Sequence, residues 1–115
     1  MELDSWLVGD LSDVNGDGLK DAAQGLGIHI GAALNYWHIA EGTRDNTYYN
    51  IAKTDYDLIT ATSGCKMKPI AKGWDASQWN YSQCDYVAKL AMDNGFKFRG
   101  HAALWAKDPF YPDFV

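Results

Sequence analysis

Apolar and polar residues change period several times along this chain, and each change marks an element boundary. Glu2 to Leu11 is short and mixed, and Asp10 to Asp21 is rich in Asp, Asn and Gly, which predicts a turn or loop. Leu19 to Leu26 has room for one or two helical turns and is closed by Gly27. Ile28-His29-Ile30-Gly31-Ala32-Ala33 is β-branched and then small, the composition of a buried strand with close backbone approach at its end. Asn35 to Asn46 reads as a polar connection with aromatics. Tyr48 to Thr54 places Tyr48, Ile51 and Ala52 on one helical side. Asp57 to Ala61 predicts a second strand centred on Leu58-Ile59, and Thr62 to Asn80 a long loop holding Trp74 and Trp79. Ser82 with Asp85 three residues on resembles a capping box. The helix it opens carries Val87, Leu90 and Ala91 at core spacing and closes at Asn94-Gly95. Phe96 to Trp105 predicts the third strand, and Asp108 to Val115, with two Pro, a loop. Helix and strand alternate three times, so the pattern predicts βαβ units, a parallel sheet and an α/β fold.

Composition narrows the function. The chain has 115 residues, is 47% hydrophobic and carries five Trp, which argues for a globular chain. Its formal charge is −5 and no two basic residues are adjacent, so it lacks the electrostatic footprint of a nucleic-acid binder. No apolar stretch approaches the ~20 residues that span a bilayer, so no membrane partner is expected. Met1 to Asp10 has no basic segment followed by an apolar one and does not read as a signal peptide. Cys65 and Cys84 fit no zinc or redox motif. They are two buried thiols or one disulfide, and a disulfide implies an oxidising compartment.

Candidate chemistry is sparse. Asp13, Asn15, Asp17 and Asp21 occupy positions that, with the Leu19 carbonyl, could converge on a hard cation such as Ca²⁺, and Gly18 sits at the sharp turn. The segment resembles dockerin and FG-GAP-type calcium loops, yet Gln24 stands where an EF-hand loop has its bidentate carboxylate. A plain Asx/Gly turn is the other reading. His29, His38 and His101 form no metal-ligand pair, and no nucleophile elbow or phosphate loop occurs, so no cofactor is required. The only Glu residues, Glu2 and Glu41, do not end strand patterns. Glycoside hydrolysis needs two rigidly placed carboxylates, and no such pair can be built here.

The third strand is the most informative. His101 and Trp105 fall on one face of a strand and near its C-terminal end, where a (β/α)8 barrel places its active site. An imidazole that bonds hydroxyls and an indole that stacks on C–H groups suit a sugar. A His and a Trp packed in a barrel interior would give the same pattern.

Arg99-Gly100-His101 through Leu104-Trp105 resembles the Arg-Gly-His…Trp element of family 10 glycoside hydrolases, the xylanases. Leu19 to Ala23 and Gly27 to Ala33 resemble that family's opening helix and first strand. Tyr49 to Thr60 resembles its next helix and second strand, Met67-Lys68 the Met-Lys that follows, and Trp79 to Gly95 the next helix. Pro112 to Val115 is similar to the segment after the third strand. The resemblance implies an incomplete (β/α)8 TIM barrel, its first three strands and their helices, over residues 19–115. Residues 1–18 form an N-terminal segment with the Asp/Asn/Gly loop. It implies that Lys68 bonds xylose hydroxyls, that His101 and Trp105 line the subsite where the bond breaks, and that Asn35 helps to bind sugar. Gly64-Cys65 stands where the family has Glu-Asn, and Ala106 where it often has His.

The resemblance further implies a retaining endo-1,4-β-xylanase, a partner such as xylan or another β-1,4-linked polysaccharide, and an extracellular location. The family's acid/base and nucleophile Glu follow later strands, so these 115 residues are expected to be an inactive fragment or a half-barrel that associates. A non-catalytic carbohydrate-binding partial barrel and a calcium-dependent scaffold or adhesion module are the rival readings.

Overall fold

A computed structural model describes residues 18–102, 104, 105, 107 and 111–114. In chain order the elements are α1 (Leu19–Gln24), β1 (Gly31–Leu34), α2 (Tyr36–Ile39), α3 (Asn46–Asp55) and β2 (Leu58–Ala61). Then come α4 (Met67–Ile70), a 3-10 turn (Ala76–Gln78), α5 (Ser82–Asp93) and β3 (Lys97–Arg99). The strands form one three-stranded sheet in the order β1-β2-β3, and both pairs are parallel. Parallel neighbours require a crossover, and α3 and α5 supply the two. Three parallel strands joined by two crossover helices form part of a (β/α)8 barrel.

Register sorts the side chains. Ala32, Ile59 and Phe98 stand side by side across the sheet, as do Ala33, Thr60 and Arg99. The first row faces the helices. Ile59, with Leu34 and Ala61 further along that face, packs on Ala52 of α3, Ile39 of α2 and Val87, Leu90 and Ala91 of α5. Ile39, Ile59 and Val87 are fully buried. The second row, with Gly31, Leu58 and Lys97, lies on the opposite face and is exposed or half-buried. Close neighbours demand Gly31, because a Cβ there would lie 2.8 Å from Leu58 Cδ2 and 3.1 Å from the Leu58 carbonyl oxygen.

Helix ends follow local chemistry. Asn35 caps α2 by accepting from the Trp37 amide, and Asp45 caps α3 by accepting from the Tyr48 amide. Asn94-Gly95 ends α5 as a Schellman motif: Phe96 N donates to Ala91 O and Gly95 N to Met92 O. Gly95 takes φ 73°, which a residue with a Cβ resists.

The structure corrects several expectations. β1 begins at Gly31, not Ile28. Upstream, Ile30 is held by Asp57, whose carboxylate accepts from the Ile30 amide at 2.9 Å. The polar connection after β1 contains α2, and the long loop after β2 contains α4 and the 3-10 turn. Ser82 is the first residue of α5 rather than its cap, and its amide donates to Asn80 Oδ1 at 2.9 Å. β3 spans Lys97–Arg99 and not Phe96 to Trp105, because its ladder with β2 ends at the Thr60–Arg99 pair. The His101–Ala102 peptide bond is cis.

Candidate sugar-binding site

Beyond Arg99 the chain leaves the sheet, so His101 and Trp105 are not aligned by strand alternation. The loop brings them together instead: their ring centroids are 6.1 Å apart, edge to face at 68°. Both line a recess of about 490 Å³ over the open face of the sheet, with Ala33, Thr60, Thr62 and Lys66. The recess runs along the open face from Gly31 and Leu58, which begin β1 and β2, to the C-terminal ends of the strands, where barrel enzymes carry their chemistry.

Lys66 is the residue that sequence reasoning missed. It is only 9% exposed, and its Nζ sits 4.5 Å from the centroid of the Trp105 ring. Lys107 Nζ approaches the same ring at 5.5 Å. The position of Lys66 is set by its loop. Its amide donates to the Ser63 carbonyl at 2.9 Å, and the neighbouring Cys65 forms a disulfide with Cys84 in the first turn of α5. Gly64 lets the loop lie against that turn, since a Cβ there would be 3.1 Å from Gln83 Cβ. The pair of cysteines left open by the sequence is therefore bonded. The signal for Lys66 was its place between Cys65 and the Met67-Lys68 pair.

Lys68 and Asn35 are placed differently. Lys68 lies in α4, is not among the residues lining the recess, and pairs with Asp113 at 2.8 Å. That ammonium holds the Asp113 carboxyl below its ordinary value. Asn35 follows β1 directly, but its Oδ1 is engaged by the Trp37 amide at 3.0 Å. Of the four sugar-binding residues expected, two share the recess and two sit apart.

Among the described residues the charge lining the recess has one sign. Lys66 and Arg99 line it, and no Asp or Glu does so among the described residues. Thr62 Oγ1 is shielded from solvent and has no hydrogen-bond partner among them. Glu41 lines a separate recess on the helical side, beside Arg44 and Tyr86. A further, aromatic hollow of about 310 Å³ lies between Trp74, Trp79 and Phe114.

For calcium, Asp13, Asn15 and Asp17 lie outside the described residues. Leu19 and Asp21 open α1. Among the described residues no group of three His, Cys, Asp or Glu side chains gathers to hold a metal.

Residues 18–115 match the family model for glycosyl hydrolase family 10. The chain is 31% identical over 90 residues to an endo-1,4-beta-xylanase/feruloyl esterase of Xylanibacter ruminicola, a match covering 78% of this chain and 11% of that protein. It is 30% identical over 89 residues to endo-1,4-beta-xylanase B of Neocallimastix patriciarum, covering 77% and 9%. The chain thus spans about a tenth of the length of these curated relatives. Its fold superposes with a TM-score of 0.69 on xylanase 10B of Thermotoga petrophila RKU-1, solved in complex with xylobiose, at 21% identity over 83% of this chain and 28% of that one.

Proposed function

Because the chain belongs to glycosyl hydrolase family 10, we propose that it is the opening part of a retaining endo-1,4-β-xylanase and that its recess grips a β-1,4-linked xylose chain. The observation that carries this reading is the pairing of His101 and Trp105, 6.1 Å apart at the strand ends. An indole stacks on the C–H face of a pyranose while an imidazole nitrogen exchanges hydrogen bonds with its hydroxyls. Lys68 would join them by releasing Asp113, which is 85% exposed and readily rehydrated. Asn35 would contribute by giving up its capping bond to Trp37.

These residues bind and orient; they do not cleave. Retaining hydrolysis needs two carboxyl groups about 5–5.5 Å apart, one as nucleophile and one as acid/base. The chain holds only Glu2 and Glu41 as glutamates, and Glu41 faces away from the recess. We assign the carboxylate pair to later strands of the whole enzyme. An extracellular location accords with the Cys65–Cys84 disulfide, since such bonds persist in oxidising compartments. No helix among the described residues is long and apolar enough to cross a membrane.

Titration calorimetry with neutral xylo-oligosaccharides tests the reading. Binding is expected, with affinity falling about tenfold or more in Trp105→Ala, as for a stacking anchor. Reducing ends should not rise above a heat-killed control. Failure to bind any xylo-oligosaccharide would sink the proposal for this site, and reducing-end release would overturn the assignment of the carboxylates elsewhere.

A further inference from the structure

We propose that Asn80 is an acceptor for an N-linked glycan when this chain passes through a compartment that carries out N-glycosylation. The inference stands apart from the sugar-binding reading, because it concerns a covalent modification on a loop that does not line the recess. Three observations carry it. The first is the triplet itself. Asn80-Tyr81-Ser82 is Asn-x-Ser with a residue other than proline at its centre, and of all the asparagines in the chain only Asn80 has Ser or Thr two positions on.

Such triplets also arise by chance, so placement decides, and placement is the second observation. Asn80, Tyr81 and Ser82 are all exposed. They bridge the 3-10 turn that ends at Gln78 and α5, which begins at Ser82. The backbone is held there, since the Asn80 amide donates to the Ile70 carbonyl at 2.8 Å and Trp79 Nε1 donates to the Gly73 carbonyl at 3.1 Å. Asn80 Oδ1 accepts from the Ser82 amide at 2.9 Å, an Asx turn that sets the acceptor side chain beside the serine. The carbonyl half of the side-chain amide is thereby engaged, while Nδ2 has no hydrogen-bond partner among the described residues. A bulky, hydrophilic glycan must stay in water, and none of the three residues belongs to the core cluster.

The third observation is the neighbouring disulfide. Cys84 lies in the same turn of α5 as Ser82 and is bonded to Cys65. Disulfides form in the oxidising compartments of secretion, where N-glycosylation also takes place. The step is a glycosyl transfer. Nδ2 of Asn80 attacks the anomeric carbon of an oligosaccharide carried on a polyprenyl diphosphate. A C–N bond forms, the C–O bond to the diphosphate breaks, one amide proton passes to a base of the modifying enzyme, and the polyprenyl diphosphate leaves. Nothing is oxidised or reduced.

The experiment translates the full chain, behind a cleavable secretory leader, into eukaryotic microsomes, where the outcome does not depend on yield of folded protein. The translocated chain should show a single upward mobility step that peptide-N-glycosidase removes. Peptide mass spectrometry after release in heavy-oxygen water should find Asn80 converted to labelled Asp. Asn80→Gln and Ser82→Ala should both lose the step, whereas Ser82→Thr, which restores the hydroxyl, should keep it. A translocated chain with no glycan at Asn80 would overturn the proposal, and so would a step that persists in Ser82→Ala or Asn80→Gln.

Discussion

Asp57 shows how much one side chain can tie together. Its carboxylate meets His29 Nδ1 at 2.6 Å and accepts from the Ile30 amide at 2.9 Å, so it joins the approach to β1 to the start of β2. The His29 hydrogen bond, with the Ile30 amide assisting, holds its pKa below the ordinary 3.8. A carboxylate whose folded pKa is depressed favours the fold above its unfolded value, and that contribution is lost as pH falls through the folded value. The thermal midpoint should therefore drop as pH is lowered below about 3.8, and Asp57→Asn should remove part of that drop while lowering the midpoint at neutral pH. Parallel pH profiles for the two proteins would count against this role. At this scale the sequence was partly legible: His101 and Trp105 were marked by residue type, whereas the strand spacing that grouped them is absent and a loop brings them together instead. Lys66 was not marked, because its burial depends on a loop path that no local pattern encodes.

Among the elements, α5 was the most legible and β3 the least. α5 carries its own instructions: Val87, Leu90 and Ala91 at core spacing, and Asn94-Gly95 as a stop. Gly95 matters because φ 73° closes the Schellman motif, so Gly95→Ala should cost about 1 kcal/mol in urea unfolding. An unchanged midpoint with an unchanged slope would show that the turn relaxes freely. β3 was overextended because a strand ends where its partner does, and the length of β2 is not written in residues 96–105. α2 was read as loop because four residues of helix show no period, and its anchor is one buried side chain, Ile39. The disulfide belongs to this scale too, since it fastens the β2–α4 loop to α5. Reducing it frees a loop spanning 19 positions, and chain-entropy arguments put the loss at about 3 kcal/mol. Reductant should therefore lower the thermal midpoint and weaken saccharide binding together, because Lys66 sits next to Cys65. A midpoint that falls while affinity holds would show that the loop keeps its form without the bond.

At the scale of the whole molecule, the decisive feature is a sheet that, among the described residues, is covered by helices on one side. Helices bury Ile59 completely, while Ala33, Thr60 and Arg99 on the other face line the recess. Parallel sheets are ordinarily covered on both faces, so the open face is where further mass, or a ligand, gains most. β2 is paired along both edges, whereas β1 and β3 are each paired along one among the described residues. Amide exchange should therefore be slowest in β2 and fastest in β3, whose ladder holds only three register pairs. Saccharide at a hundred times its dissociation constant should add about 2.7 kcal/mol to the opening free energy of amides that exchange by global unfolding. The gain should be visible in β2 and α5, which share the core behind the recess. Protection confined to the His101–Trp105 loop would mean that the ligand orders only that loop. A rise shared by the sheet and α5 would mean that the recess and the core behave as one cooperative unit, as expected if the sugar packs on the open face of the sheet.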